Sequence, residues 1–195
     1  MKIIDAKRIE QRARLLAVLN EDVRVAQAID GLENALRAGN KVLLFGNGGS
    51  ATQSSHFAAE MVNKFYFRRQ ALPALSLSAD MASITAIAND DDFRFVFSKQ
   101  VEAFAATGDV ALGITTSGKS VNVLQALAVA RERGLLTIAL AGRQVEKLQA
   151  IPVDIVISMD ADDTPTIQEM HLFLLHVMAE TIEKNIFGGK HDPAV

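Results

Sequence analysis

The fold class of this chain is decided by residues 41–50, which read KVLLFGNGGS. Val42 to Phe45 form a short apolar run that stops at glycines, a pattern typical of a strand buried on both faces. A helical pattern follows from about Ser50 to Phe65. The stretch therefore predicts a strand, a glycine-rich turn and a helix in direct succession.

The same strand-then-helix unit recurs along the chain. Further apolar runs predict four more strands, and the segments between them carry the three-and-four spacing of helices. The strands are predicted at 72–77, 110–114, 135–140 and 153–157, and the helices at 83–88, 92–105 and 121–133. Strands that alternate with helices predict an α/β fold with a five-stranded parallel sheet flanked by helices.

Two helical regions lie outside this alternation. Residues 1–38 form the N-terminal region, in which Asp22 is placed to cap a second helix. Residues 164–187 form a long C-terminal helix, with Thr164 as the predicted N-cap and the glycines at 188 and 189 as its end. Both regions are apolar over much of their surface, which predicts that they pack against each other or a neighbouring subunit, in an oligomeric bundle.

The composition sets the class of protein. The 195 residues are 49% hydrophobic and 22% charged, which predicts one globular domain over 1–195. The formal net charge is −3, so no basic excess favours nucleic acid as a partner. There is no cysteine, which excludes disulfides and thiol chemistry. No signal-like or membrane-spanning run is present, so we expect a mature chain that starts at residue 1 and is cytoplasmic.

Two loops are candidates for holding a phosphate. Residues 46–50 (GNGGS) follow the first strand, and residues 115–120 (TTSGKS) follow the third. Glycines let backbone N–H groups approach an anion, and several hydroxyls at a helix start suit a phosphomonoester. Each loop taken alone could equally be a helix cap or turn. Their occurrence together favours binding, while the spacing fits neither a P-loop nor a dinucleotide fingerprint.

The candidate catalytic groups lie mainly on two helices. His56 and Glu60 are four residues apart and share a helix face, as metal ligands or as a plain intrahelical pair. His171 and His176 lie on the last helix, where His176 among apolar neighbours could simply be a core histidine. His191 falls in the polar tail and is expected to be solvated.

Two charged clusters are open to interpretation. The run 89–92 (NDDD) is either a helix stop and cap or a contribution to the same cleft. Lys64, Arg68 and Arg69 form a basic cluster that is expected to be solvated surface, or to face a neighbour's site in an oligomer.

Taken together, these residues resemble the phosphoheptose isomerase branch of the sugar isomerase (SIS) family. The resemblance covers nearly the whole chain in matching order. Its pieces are 41–50, 56–60 (HFAAE), 88–90 (AND), 115–120, 167–171 (IQEMH) and His176. It implies a single SIS domain.

The resemblance also implies an activity and its residues. The family isomerises sedoheptulose 7-phosphate to D-glycero-D-manno-heptose 7-phosphate, an early step toward lipopolysaccharide or S-layer heptose. The implied catalytic pair is Glu60 as base and His176 as acid, acting through an enediol. Phosphate contacts fall on Thr115, Thr116, Ser117 and Ser120. Sugar contacts fall on Asn47, Gly48, Gly49, Ser50, Glu60, Asn89, Asp90 and Gln168.

A metal and an assembly are implied as well. Some family members bind one zinc per subunit, and those ligands match His56, Glu60, Gln168 and His176. Members are usually homotetramers with active sites at subunit interfaces. Gln168 and His176 are about 12 Å apart along an ideal helix, so both reaching one metal from a single chain would be strained.

Two readings without catalysis compete with the enzyme. One is a scaffold of the same fold that binds a replication initiator; that branch resembles this chain but lacks the catalytic glutamate and histidine. The other is a sensor that binds a sugar phosphate without converting it. The presence of Glu60 and His176 favours the enzyme.

Overall fold

The computed structural model describes residues 5–188 and contains five strands and eight α-helices within that range. In chain order the elements alternate as the sequence predicts, after two N-terminal helices. They are α1 Ala6–Glu21, α2 Val23–Arg37, β1 Val42–Gly46, α3 Gly49–Val62, β2 Ala74–Ser76, α4 Met81–Asp90, a 3-10 turn Phe93–Phe95, α5 Ser98–Phe104, β3 Val110–Thr115, α6 Val121–Glu132, β4 Leu136–Ala141, α7 Glu146–Gln149, β5 Ile155–Ser158 and α8 Thr164–Phe187.

The five strands form one parallel sheet in the order β2-β1-β3-β4-β5. The predicted α/β fold and its five-stranded parallel sheet are thus confirmed. The chain passes from β1 to β2 on one side of β1 and reaches β3 on the other side. The strand order therefore reverses between β1 and β3, and such a reversal opens a crevice at the carboxyl ends of the two strands.

Each face of the sheet has its own apolar core. Alternate residues of β1 point to opposite faces, so Val42 and Leu44 join one core while Leu43 and Phe45 join the other. Helices α1, α2, α3 and α8 cover the first face. Helices α4, α5, α6 and α7 cover the second. This division places α3 and α8 side by side and puts α6 on the far side of the sheet.

The terminal helices pack on the first face, and their predicted caps are partly confirmed. Asp22 caps α2, since its side chain accepts a hydrogen bond from the N–H of Arg24 at 2.9 Å. The N-cap of α8 is Asp163, one residue before the predicted Thr164, because its carboxylate accepts from the Thr166 N–H at 3.0 Å. Among residues 5–188, no helix is both long and apolar enough to cross a membrane.

Two further local predictions differ from the structure. The single helix predicted over 92–105 is interrupted, because Asp92 caps the 3-10 turn and the adjacent Val96 and Phe97 both turn into the core before α5 begins. The short helix α7 was not predicted, since four residues are too few to show a helical period. Gly189 and His191 lie outside the described residues.

Candidate active site

The crevice between β1 and β3 brings the two predicted loops together. Gly46, the last residue of β1, is in register with Ile114 of β3, so both strands end at the same edge. From there the chain enters α3 on the first face and α6 on the second. Residues 46–50, the glycine loop, and residues 115–120, the hydroxyl loop, therefore flank one opening.

Three hydroxyl groups converge in the hydroxyl loop. The Thr115 Oγ1 lies 3.0 Å from Ser120 Oγ and 3.4 Å from Ser117 Oγ. Ser120 is the N-cap of α6, yet its side chain makes no capping hydrogen bond, so this hydroxyl is not used to cap the helix. Thr116 is half-buried between them. Hydroxyls at the positive end of a helix dipole are suited to bind a phosphate.

A pair of amides joins the glycine loop to the first turn of α6 across the crevice. The Asn47 Nδ2 donates to Asn122 Oδ1 at 2.9 Å, and Asn122 Nδ2 donates back to Asn47 Oδ1 at 2.8 Å. Asn122 is 3% exposed. The sequence analysis did not select Asn122; its signal was a polar residue in the first turn of a helix that otherwise begins with apolar side chains.

The glycine loop is pressed against α8. A methyl group built on Gly49 would lie 2.4 Å from the amide nitrogen of Gln168, so a larger residue there would displace the Gln168 side chain. The side chain of Gln53 in α3 also donates to the Gln168 carbonyl at 2.7 Å. Ser50 is buried in the first turn of α3. Gln168 therefore sits at the glycine loop, as a sugar contact there would require.

The other predicted sugar contacts lie at the exposed end of α4. Asn89 donates through Nδ2 to the Asp90 carboxylate at 2.8 Å, and both residues are exposed. The helix ends at Asp90 and packs on the following 3-10 turn. That turn borders a cavity of about 520 Å³ whose wall also holds both loops; its lining is Asn47, Asp92, Phe93, Arg94, Ser120, Val121 and Asn122.

The predicted catalytic pair forms a cluster with His56, which we call the His–Glu–His cluster. The His56 Nε2 lies 3.1 Å from Glu60 Oε1 and 2.9 Å from His176 Nε2. His176 Nε2 lies 3.5 Å from Glu60 Oε1. His176 has a side chain 40% exposed and so is not a core histidine. The fully buried histidine of α8 is His171, whose Nε2 lies 3.3 Å from the Ala141 carbonyl oxygen.

The surroundings shift the pKa values of two members of the cluster. Burial raises the pKa of the Glu60 carboxyl, nearby His56 opposes the rise, and the Glu183 carboxylate adds to it. Burial lowers the pKa of His176, and the neighbouring His56 lowers it further. Both shifts disfavour the charged form of the group.

The geometry of the cluster fits a tetrahedral metal. Zinc bound tetrahedrally to histidine and carboxylate at about 2.0–2.2 Å holds neighbouring ligand atoms about 3.3–3.6 Å apart. The three ligand atoms here are 2.9, 3.1 and 3.5 Å apart, and the second oxygen of Glu60 is buried without a hydrogen-bond partner. Three protein ligands would leave a fourth position open, as in catalytic zinc sites.

Gln168 is not brought to this cluster within one chain. Its amide lies against Gly49, and His56 follows seven residues later on α3, about 10 Å along the helix axis. Along α8, Gln168 and His176 are about 12 Å apart, so Gln168 is distant from both histidines of the cluster. Gln168 as a fourth metal ligand therefore stays a prediction from the resemblance.

One member of the predicted basic surface cluster is buried. The Arg69 side chain is 1% exposed and pairs with Glu183, whose side chain is fully buried. The prediction that Arg69 is solvated is therefore wrong. Its partner lies 114 residues away, on a helix that the local charge pattern could not associate with it.

Comparisons with known proteins agree with this geometry. The family described as the SIS domain matches residues 9–142. A phosphoheptose isomerase from Thermodesulfovibrio yellowstonii is 46% identical over 163 residues, which cover 84% of this chain and 81% of that protein. Another from Trichlorobacter lovleyi is 41% identical over 190 residues, covering 96% of both chains.

A solved structure extends the similarity to three dimensions. The phosphoheptose isomerase from Neisseria gonorrhoeae superposes with a TM-score of 0.84 at 39% identity, covering 92% of this chain and 94% of that one. The chain therefore belongs to the SIS domain family, among its phosphoheptose isomerases, and it is an isomerase enzyme.

Proposed function

We propose that this enzyme converts sedoheptulose 7-phosphate to D-glycero-D-manno-heptose 7-phosphate in the cytoplasm. The observation that carries the proposal is the convergence of Glu60 and His176 from two helices, 3.5 Å apart, in a chain that also has a hydroxyl-lined helix start. Several relatives are named for phosphoheptose isomerisation. The substrate carries its phosphate on C7 and reacts at C1 and C2, so a site with two separate regions suits it.

The hydroxyl loop is proposed to bind the phosphate. Thr115, Ser117 and Ser120 present converging hydroxyls, and Thr116 lies in the same turn. The N-terminus of α6 favours the negative charge there. The sugar is proposed to contact the glycine loop (Asn47, Gly48, Gly49 and Ser50), together with Asn89, Asp90 and Gln168.

The proton transfers are proposed to belong to the His–Glu–His cluster. Glu60 removes the proton from C1 of the ketose, and His176 supplies a proton to the oxygen on C2, which gives the enediol. Removal of the proton from the oxygen on C1 and delivery of a proton to C2 then yield the aldose. Both side chains must sit within hydrogen-bond reach of adjacent substrate atoms, which their 3.5 Å separation allows.

Zinc is proposed as the cofactor, held by His56, Glu60 and His176. When bound, it would polarise the hydroxyl and carbonyl oxygens of the substrate. Glu60 cannot be a tight metal ligand and a free base at the same moment. The carboxylate therefore serves the two roles at different times, or it serves only one of them.

A homotetramer is proposed from the exposed apolar side chains of the terminal helices. Phe173 of α8 is 46% exposed, and Val18 and Val23 at the end of α1 and start of α2 are 58% and 65% exposed. A groove of about 540 Å³ runs between these helices. Light scattering on the purified enzyme tests the assembly: a mass near four times 21.1 kDa is expected, and a monomer would contradict it.

The activity is tested with sedoheptulose 7-phosphate in deuterated water, with and without added zinc. We expect aldose product that carries deuterium, lost in Glu60→Gln and in His176→Gln. Glu180→Gln is the matched control, because Glu180 lies on α8 in an exposed pair with Lys184. Failure to turn over sedoheptulose 7-phosphate, with or without zinc, would contradict this substrate assignment.

A further inference from the structure

A buried ion pair lies directly behind the His–Glu–His cluster. Arg69 Nε lies 3.1 Å from Glu183 Oε1, and the two side chains are 1% and 0% exposed. Burying two charges is costly unless further hydrogen bonds satisfy them. The further hydrogen-bond partners of Arg69 and Glu183 therefore show which segments of the chain the pair holds in place.

Glu183 binds the segment that follows α3. Its carboxylate accepts hydrogen bonds from the backbone N–H of Phe65 at 2.8 Å and from that of Tyr66 at 2.6 Å. The ring of Phe65 in turn lies against His176, with 5.7 Å between ring centroids. Glu183 thus holds the segment whose Phe65 ring packs against His176.

Arg69 binds the end of α3. Its Nη2 donates to the Glu60 carbonyl at 2.7 Å, and its Nη1 donates to the Met61 carbonyl at 2.5 Å. These carbonyls belong to the last turn of the helix, where no intrahelical partner is available. A cation there also complements the helix dipole. Arg69 thus fixes the backbone that carries the Glu60 side chain.

We propose that Arg69 and Glu183 are positioning residues for the isomerisation, holding Glu60 and, through Phe65, His176 at their catalytic spacing. The proposal rests on the proposed function of Glu60 and His176 as the acid–base pair. Neither Arg69 nor Glu183 touches the reacting atoms in this role. They act by joining the end of α3, the segment after it and α8 into one rigid unit behind the cluster.

The test compares Glu183→Gln and Arg69→Lys with a matched control, Asp109→Asn. Asp109 is also buried and also binds a cation and backbone N–H groups, namely Lys41 Nζ at 2.6 Å and the N–H groups of Lys41 and Ala106. It lies at the opposite, amino end of β1 and β3, away from the site. Asp109→Asn therefore measures the effect of breaking a buried ion pair that does not position Glu60 or His176.

We expect kcat to fall about 10- to 100-fold in Glu183→Gln, because a displacement of about 1 Å can cost that much. KM should change less than about two-fold, since the phosphate contacts are untouched. Arg69→Lys keeps the charge but loses the planar fork, so we expect a kcat about 10-fold lower. Asp109→Asn should lower the melting temperature and leave kcat within about two-fold.

Equal kcat values in Glu183→Gln and Asp109→Asn at matched stability would overturn the positioning role. If Glu183→Gln does not fold, Arg69→Lys decides, and an unchanged kcat there would overturn it as well. Retained activity in Glu60→Gln would instead contradict the acid–base assignment, so the two failures are distinguishable. Steady-state kinetics and thermal melts supply all of these measurements.

Discussion

In the hydroxyl loop the three converging side chains lie within six residues of one another, whereas in the His–Glu–His cluster His176 lies 120 positions from His56. The loop is shaped by the end of one strand and the start of the next helix. The cluster exists only because α3 and α8 pack side by side on one face of the sheet. Local geometry thus holds the region proposed for binding, and long-range packing holds the region proposed for proton transfer.

This contrast predicts separable kinetic effects. Changes around the hydroxyl loop should weaken substrate binding and appear in KM. Changes in the cluster should slow the chemical step and appear in kcat.

The largest effect is expected for Glu60→Gln in the cluster. Loss of a positioned general base should lower kcat about 10²- to 10⁴-fold, with KM for the sugar phosphate changed less than about two-fold. Initial-rate kinetics measure both constants, and Glu180→Gln serves as the control, with a partly exposed carboxylate on α8. A rise in KM as large as the fall in kcat would contradict the proposal that the cluster serves the chemical step and the hydroxyl loop serves substrate binding.

The next effect is expected for Gly142→Ala behind the hydroxyl loop. The added methyl group would lie 2.2 Å from the Thr116 carbonyl oxygen, so the loop must shift. We expect KM to rise about 10- to 100-fold, and inorganic phosphate to inhibit correspondingly less well. Competitive inhibition by phosphate measures the shift.

Gly39→Ala is the control for that substitution, because it has a positive φ of 83° but nothing within 4 Å of the added methyl. It should lower stability by about 1 kcal/mol and leave KM unchanged. An unaltered phosphate inhibition constant in Gly142→Ala would contradict phosphate binding by the hydroxyl loop.

His171 lies on α8, five residues before His176, and contacts the carbonyl at the end of β4. Burial lowers its pKa from 6.5 to about 4, so the folded state keeps it neutral where the unfolded state would bind a proton. Stability from this residue is present above pH 6.5 and is lost as the pH falls toward 4. Between pH 7 and pH 5 we expect a loss of about 2 kcal/mol.

Urea unfolding of the unchanged protein and of His171→Met at both pH values isolates this contribution. The variant should lose about 2 kcal/mol less than the unchanged protein over the same interval. Equal losses would mean that His171 is not held neutral in the fold. The other histidines are common to both proteins and cancel in the comparison.

The smallest effect is expected for Asn122→Ala. It removes two hydrogen bonds to Asn47 across the crevice, each of roughly 1 kcal/mol, so the glycine loop loses its link to α6. We expect KM to rise about 10-fold with little change in kcat. Asn34→Ala, an exposed position on α2, is the control; a fall in kcat without a rise in KM would mean that Asn122 supports the cluster instead.

The sequence by itself determined the five strands, most helices, and both loops at the sheet edge. Each of these depends on neighbours in the chain: apolar runs make the buried strands, and glycines and hydroxyls follow where they end. The resemblance to a known family selected Glu60 and His176. The sequence could not show that Asn122 faces Asn47, because 75 residues separate them.

Only the tertiary structure decided which charged side chains are buried. Arg69 was predicted to be solvated beside two other cations, yet it is enclosed with Glu183. The same run of charged residues can lie wholly on the surface or can contain one member of a buried ion pair. Which of the two occurs depends on which helix packs over the run. The same packing of α8 on α3 makes His176 part of the cluster and His171 part of the core, although the two lie five residues apart on one helix.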